Sequence, residues 1–382
     1  EHQYRILHKM SESAAVPVLN AMPSDAVVDM MVAIHPHQAE RLRSWLPAEY
    51  RKQIDELMTF PEGSAGRLAT VDYIAVRESW TVERTLAHIR KVASEAEVVT
   101  YVYVVNAMGQ LVGVVSLRQL ILADPKQRIS EIVSTYVVSV SAYTGQEEAA
   151  RVLSQYDFIA LPVVDAKERL IGIITVDDLF DVVEEAATED LQKMGGSEPL
   201  EGSYFDTPIG VLFRKRVVWL LVLFLGQAYT STVIRHFEST LAEVVSLAFF
   251  IPLLIGTGGN TGSQTVAILV RSLAVGEVGF SDMLRVLGRE LATGALLGIT
   301  MGVATYARAL MMGLGIEIGP VVAVSGLFIV IWAALVAGFL PLMLHRLKVD
   351  PALVSGPLIT TIVDGTGLFL YFSLARFMLG LA

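Results

Sequence analysis

The sequence predicts a multidomain, mainly α-helical membrane protein. Five transmembrane helices are preceded by a tandem α+β repeat pair and a short helical N-terminal segment. Three observations predict this. Apolar residues make up 53 % of the 382 positions, and the mean hydropathy is +0.54. They are unevenly spread: up to about residue 205 charged and apolar residues alternate, and beyond it long apolar runs follow. Runs of ~18–25 such residues are what a helix needs to cross a ~30 Å hydrocarbon core. Second, residues 104–120 and 163–179 repeat one another at a constant offset of 59. Third, the net charge of −10 is concentrated: residues 146–206 hold fifteen acidic and four basic side chains. That balance argues against nucleic acid and anionic lipid surfaces as partners and favours a cation.

Residues 1–62 read as short amphipathic helices. The start, "EHQYRILHKM", is neither a signal peptide nor a methionine start and reads as the cut end of a longer chain. In "SDAVVDMMVAI", Ser24 and Asp25 are candidate caps. In "LPAEYRKQIDELMTF" the helical spacing puts Leu46, Tyr50, Ile54, Leu57 and Met58 on one face.

The repeats occupy 63–126 and 127–182. "VVNAMGQLVGVVSLRQL" aligns with "VVDAKERLIGIITVDDL", matching Gly113 to Gly172 and Leu120 to Leu179. Each copy reads strand, turn, strand, helix, after a helical stretch ("VERTLAHIRKVA" and "QEEAARVLSQY"). Two such copies in register resemble a tandem pair of CBS domains, and the resemblance implies a ligand sensor, often for adenine nucleotides. The helix-opening "TVDD" (Thr175, Asp178) resembles the ribose-phosphate signature of nucleotide-binding copies, so ATP is an expected ligand. Thr175 as a plain helix cap is an equal reading. The first copy has "SLRQ" at that place.

Residues 183–208 form an acidic connector. "DVVEEAATEDLQKMGG" favours a helix ended by Gly195 and Gly196. Its acids fall on neighbouring helical positions and repel. At ~6 Å and an effective dielectric of ~20 each pair costs about 3 kcal/mol before screening. A solvated acidic face and a divalent-cation site are the two readings of that density.

Residues 209–382 hold five expected spans, near 212–235, 241–270, 283–312, 318–344 and 352–380. Arg214, Lys215, Arg216, Arg271, Arg285, Arg289, Arg346 and Lys348 lie at the ends on one side. By the positive-inside rule that side is cytoplasmic, together with the repeats, and the C-terminus is expected outside. Gly294, Gly298 and Gly302, at four-residue spacing, make a smooth face for packing within the chain or across a dimer.

"IPLLIGTGGNTGSQTVAILV" has no large apolar residue from Gly256 to Thr265. A phosphate loop would need a lysine and a preceding strand; neither is present. Pro252 and the glycines weaken the helix. The expectation is irregular backbone, tolerated only against protein or a water-filled path. Asn260, Thr261, Ser263, Gln264 and Thr265 would offer oxygens to hydrated ions or to neighbouring helices.

The last span, "DPALVSGPLITTIVDGTGLFLYF", is expected to start at Asp350 and Pro351 as cap and first turn. Asp364 follows fourteen residues later, about 21 Å along a helix axis. A carboxylate at that depth costs about 2.5–3.5 kcal/mol even on the lenient scale. It needs an ion, a partner or the bundle interior. Pro357, Thr360, Thr361, Asp364 and Gly367 make a small polar stripe. Arg376, three turns on, is a conceivable counter-ion.

This order of parts, with "GTGGNTGSQ", "DPALVSGP…TTIVDGTG" and "EEAATEDLQKMG", resembles the MgtE family of magnesium channels. The resemblance covers nearly the whole chain. It implies a Mg²⁺-selective channel or transporter of a bacterial inner membrane, working as a homodimer in the lipid bilayer. The pore would lie on the dimer axis, with Asp364 from both subunits as its ion-binding carboxylate and Gly259, Asn260, Thr360, Thr361 and Gly367 lining it. It implies regulatory metal sites at Asp157, Asp178, Asp181, Glu189, Asp190 and Glu147, and a connector that plugs the pore when cytosolic Mg²⁺ is high. The amino-terminal helical segment is shorter than the family's, which leaves open the Mg²⁺ sites between it and the repeats.

Two other classes remain. One is a secondary divalent-cation transporter coupled to H⁺ or Na⁺, with Asp364 as carrier. The other is a membrane-anchored nucleotide sensor without transport. An enzyme is disfavoured: the chain has no cysteine, its seven histidines show no metal-ligand spacing, and no nucleophile–base motif appears.

Overall fold

The structure is a computed structural model describing residues 2–94, 96–200 and 202–381; Glu201, one of the acids counted above, lies outside them. The chain packs as two units, residues 1–186 and 187–382.

The first unit opens with five helices: α1 (His2–Lys9), α2 (Glu12–Asn20), α3 (Ser24–Val32), α4 (Pro36–Trp45) and α5 (Ala48–Leu57). Pro36 and a reciprocal His35–Gln38 cap start α4. Leu46, Ile54 and Leu57 are buried as their spacing predicts, whereas Met58 is exposed. Ser24 does not cap α3, which follows Pro23. Its hydroxyl is buried instead and bonds Thr70 Oγ1 at 3.1 Å, tying α3 to the entry of the repeats.

After α6 (Ala65–Leu68), the first repeat runs β1 (Ala75–Arg77), α7 (Val82–Val92), β2 (Tyr101–Val105), β3 (Leu111–Ser116) and α8 (Leu117–Leu122). The second runs β4 (Val140–Ser141), α9 (Gln146–Gln155), β5 (Ala160–Val164), β6 (Leu170–Thr175) and α10 (Val176–Met194). Each sheet pairs its first strand parallel and its third antiparallel to the middle strand. The offset of 59 holds to single residues: Val104 faces Gly113, Val163 faces Gly172, and a register shift follows both pairs. Each glycine is required by a close approach. A Cβ at Gly113 would lie 2.6 Å from the Ser134 carbonyl, and one at Gly172 would lie 2.6 Å from the Thr70 carbonyl. The first repeat has its own core around Ile74, Val102, Val115 and Leu120. The second shares a core with α1–α5. The acidic connector therefore starts inside α10, and Gly196 at φ +75° follows its end.

Among the described residues, the second unit contains five helices long and apolar enough to cross a membrane. They are α11 (Ile209–His236), α13 (Ile251–Ala274), α14 (Met283–Met311), α15 (Ile318–Arg346) and α16 (Gly356–Leu379), with a short α12 (Glu238–Glu243) between the first two. Helix α15 is the hub: it packs on α14, α13 and α16, while α11 lies against α16. The glycine stripe of α14 is used within the chain. Cβ atoms there would meet Ala334, Leu327 and Ala323 of α15.

Two expectations are corrected. The glycine-rich stretch is not irregular: Ile251–Ala274 is one continuous helix. Its glycines are contact points, Gly258 against Ile329 and Val363, Gly259 against Thr360 and Gly262 against Ile359. Thr257 and Thr261 donate back to the carbonyls four residues earlier, whereas Thr265 donates to Glu290 Oε2 of α14 at 3.0 Å and Ser263 to the Gly356 carbonyl at 3.5 Å, so the polar run is satisfied partly within the helix and partly by its neighbours. The last span, moreover, does not start at Asp350. Asp350 caps only a 3₁₀ turn, Pro351–Leu353. The buried Ser355 accepts from the Leu358 amide and caps α16, with Pro357 in its first turn. Asp364 is thus eight residues, about 12 Å, into the helix rather than 21 Å.

Candidate cation sites

In the second unit the site centres on Asp364, which is 7 % exposed among apolar neighbours. Its Oδ2 accepts from the Gln227 side-chain amide of α11 at 3.1 Å. Its Oδ1 is buried and has no hydrogen-bond partner among the described residues. Arg376 does not compensate it. Its guanidinium is engaged at the far end of α16, donating to Thr240 Oγ1 at 2.7 Å and Ser239 Oγ at 3.2 Å and lying over the Phe237 ring.

One turn before Asp364 lies an open groove of about 480 Å³. Its polar lining is Gln227, Ser263, Thr360 and Thr361; the rest is apolar, from Leu220, Leu223, Phe224, Gly356 and Pro357. Of the residues expected to line a path, Thr360 and Thr361 lie here, each hydroxyl also bonded to a carbonyl four residues back. Gly259 packs against Thr360, Gly367 faces Ile329, and Asn260 is exposed. Gln227 escaped the sequence reading. A lone amide in the run "VVWLLVLFLGQA" was the available signal.

In the first unit a carboxylate cluster forms around Asp178. Glu97, Asp177 and Asp178 bring one oxygen each within 4.8 Å of one another. Glu97 and Asp177 were not foreseen, since the turn before β2 carries no motif. Asp178 also accepts from the Thr175 amide and, at 2.6 Å, its hydroxyl, the same capping geometry that Gln119 gives Ser116 in the first repeat. Glu97 and Asp177 are exposed at the surface and Asp178 is half-buried; partial desolvation within the cluster still pushes the Glu97 carboxyl up to about 7, reinforced by the charges of Asp25 and Asp178. Burial and then Asp178 raise Asp25 to about 6. Asp29 and Asp178 are likewise raised by burial first. Helix α3 therefore presents acids to the second repeat. Of the other expected regulatory acids, Glu147, Asp157 and Asp181 are exposed. Glu189 is paired with Lys193 at 2.5 Å, and Asp190 is half-buried.

Comparison with known proteins follows the same division. Residues 251–374 match the MgtE family described as divalent cation transporter. Residues 65–126 and 129–185 match the CBS domain, and residues 1–63 match the MgtE intracellular N domain. The chain is 43 % identical over 358 residues to the magnesium transporter MgtE of Thermus thermophilus, covering 93 % of this chain and 79 % of that protein. It is 36 % identical over 376 residues to the magnesium transporter MgtE of Bacillus subtilis, covering 98 % and 83 %. Among solved structures, the cytosolic domain of the Mg²⁺ channel MgtE in complex with ATP is 39 % identical over 47 % of this chain and 78 % of its own, with a TM-score of 0.42.

Proposed function

This chain belongs to the MgtE family of divalent cation transporters, and we propose that it carries Mg²⁺ across the membrane along a path passing Asp364. Two relatives that match nearly its whole length are named magnesium transporters. The observation that carries the reading is the buried, unpartnered Oδ1 of Asp364 in an apolar helix bundle. Such a charge is tolerated where a passing cation compensates it. Mg²⁺ binds oxygen at ~2.1 Å and parts reluctantly with water. A single carboxylate beside Thr360, Thr361 and Ser263 suits a hydrated ion held through its waters. Looser holding of this kind lets the ion leave, as conduction requires. A homodimer would set two copies of Asp364 on a shared axis.

Gating by cytosolic Mg²⁺ is the second part of the proposal. Glu97, Asp177 and Asp178 are hard oxygen donors of the kind Mg²⁺ takes, with Asp25 and Asp29 close enough to feel their charge. Cytosolic Mg²⁺ would hold these like charges together, and its absence would let them part. Helix α10 carries Asp178 and continues to Glu189 and Lys193, so the cluster and the connector share one helix. ATP is a candidate second ligand of the repeats, competing with the Thr175–Asp178 bond for the same groups.

The test is Mg²⁺ uptake by proteoliposomes carrying the whole chain. Asp364→Ala is expected to abolish uptake while dimers still form; normal uptake would end the assignment. Uptake that follows an imposed pH gradient would favour the coupled-transporter alternative instead.

A further inference from the structure

We propose that Gln227 is a positioning residue for the transported ion: its side-chain amide pins one oxygen of Asp364 and so aims the other at the cation. This rests on the reading of Asp364 as an ion-binding carboxylate.

Gln227 stands alone as a polar side chain in "VVWLLVLFLGQA" of α11. A carboxamide in that setting is costly unless hydrogen-bonded. Its Nε2 lies 3.1 Å from Asp364 Oδ2. The contact is built from both sides by glycine. Beside Gln227, a Cβ at Gly226 would lie 2.7 Å from the Thr361 methyl. Beside Asp364, a Cβ at Gly365 would lie 2.4 Å from the Tyr229 ring. Helices α11 and α16 therefore approach one another closely at the level where the amide meets the carboxylate.

The chemistry of the donor matters as much as its position. An ionised carboxylate offers about four lone-pair sites, and Gln227 supplies a single donor here. The amide fixes the rotation of the carboxyl plane without cancelling its charge. An ammonium or guanidinium in the same place would pair with Asp364 and compete with the ion. With Oδ2 held, the unpartnered Oδ1 is the oxygen left for a cation or its water. Gln227 also lines the open groove of about 480 Å³ shared with Ser263, Thr360 and Thr361.

The experiment compares Gln227→Met, Gln227→Lys, Asp364→Ala and wild type in proteoliposomes, with Mg²⁺ and Ca²⁺ as transported ions and melting temperature as the folding control. Gln227→Met keeps the length and removes the donor. It should raise half-saturating Mg²⁺ about tenfold, the size expected for one hydrogen bond to a charged group. The maximal rate should stay within about twofold, and the preference for Mg²⁺ over Ca²⁺ should fall. Gln227→Lys, folded, should lose uptake. Unchanged half-saturation in Gln227→Met, or uptake retained by Gln227→Lys, overturns the role of Gln227 provided Asp364→Ala is inactive. A lower melting temperature with unchanged half-saturation means a merely structural role and overturns it too. Uptake by Asp364→Ala overturns the reading beneath it instead.

Discussion

The ammonium of Lys193 lies 2.5 Å from Glu189 and 2.6 Å from Asp350, so the last turn of α10 is tied to the turn that precedes α16. Lys193 is the one base among the acids of the connector. Burial works against its charge, but Asp350 and Glu189 outweigh burial and hold the ammonium above its ordinary value. A base raised in this way contributes stability below its unfolded value and loses it only as pH rises through the folded one. The tie is therefore constant between pH ~6 and ~9.

Lys193→Met should break that tie. Partly exposed pairs of this kind are worth about 1 kcal/mol or less, so the melting temperature should fall by a few °C at most. The effect on gating should be larger, because the connector shares α10 with the acid cluster through which cytosolic Mg²⁺ is proposed to act. Flux measured against a cytosolic-side Mg²⁺ titration should need more Mg²⁺ for half-inhibition. An unshifted inhibition curve would show that the tie plays no part in closure.

A second prediction concerns pH. Glu97 and Asp25 titrate in the folded chain at about 7 and about 6, above their unfolded values. The sign is the reverse of the usual carboxylate case. The folded state binds more protons, so stability falls as pH rises from about 4 through those values. Without divalent cations the chain should melt a few °C lower at pH ~8 than at pH ~5.5. Mg²⁺ replaces the protons, so its stabilising shift should be larger at the higher pH. Equal Mg²⁺ shifts at both pH values would remove the cluster as a cation site. Glu97→Gln should reduce the pH dependence and the Mg²⁺ shift together.

What was legible in the sequence was what repeats or persists locally. The offset of 59 carried the repeat fold down to its glycines, because each glycine answers the same crowding by a neighbouring carbonyl. Apolar runs carried the five spans. The glycine-rich stretch misled because propensity in isolation undervalues a helix whose glycines receive Ile359, Thr360 and Val363. The start of α16 misled because Asp350 and Ser355 are both good caps, and only packing chose the second. Gln227 and Glu97 were missed for one reason: their partners lie far along the chain, and no local pattern announces a contact across 137 residues.

The packing of α14 on α15 gives a third prediction. Cβ atoms at Gly298 and Gly302 would lie 2.8 Å from the carbonyl oxygens of Leu327 and Ala323. Backbone cannot swing aside as a side-chain tip can. Gly298→Ala and Gly302→Ala should each destabilise by about 1–3 kcal/mol, read as a lower melting temperature in detergent. Gly288→Ala, on the same helix with nothing within 4 Å of its Cβ, should be neutral. Equal behaviour of the three variants would contradict the close helix approach.

The last prediction separates the two charges of α16. Arg376 lies twelve residues beyond Asp364, about 18 Å along the axis. Its guanidinium is consumed by Thr240, Ser239 and the buried Phe237 ring, which together fasten α12 over the end of the bundle. Hydrogen bonds and a cation–π contact of this kind are worth about 1–3 kcal/mol together. Arg376→Gln should therefore lower the melting temperature while leaving half-saturating Mg²⁺ within about twofold of wild type, since a tenfold change would need about 1.4 kcal/mol at the ion. If Arg376 were instead the counter-ion of Asp364, its removal would tighten Mg²⁺ binding by unmasking the carboxylate. A marked fall in half-saturating Mg²⁺ would thus show that the charge of Asp364 is compensated from within the chain and is not held open for the ion.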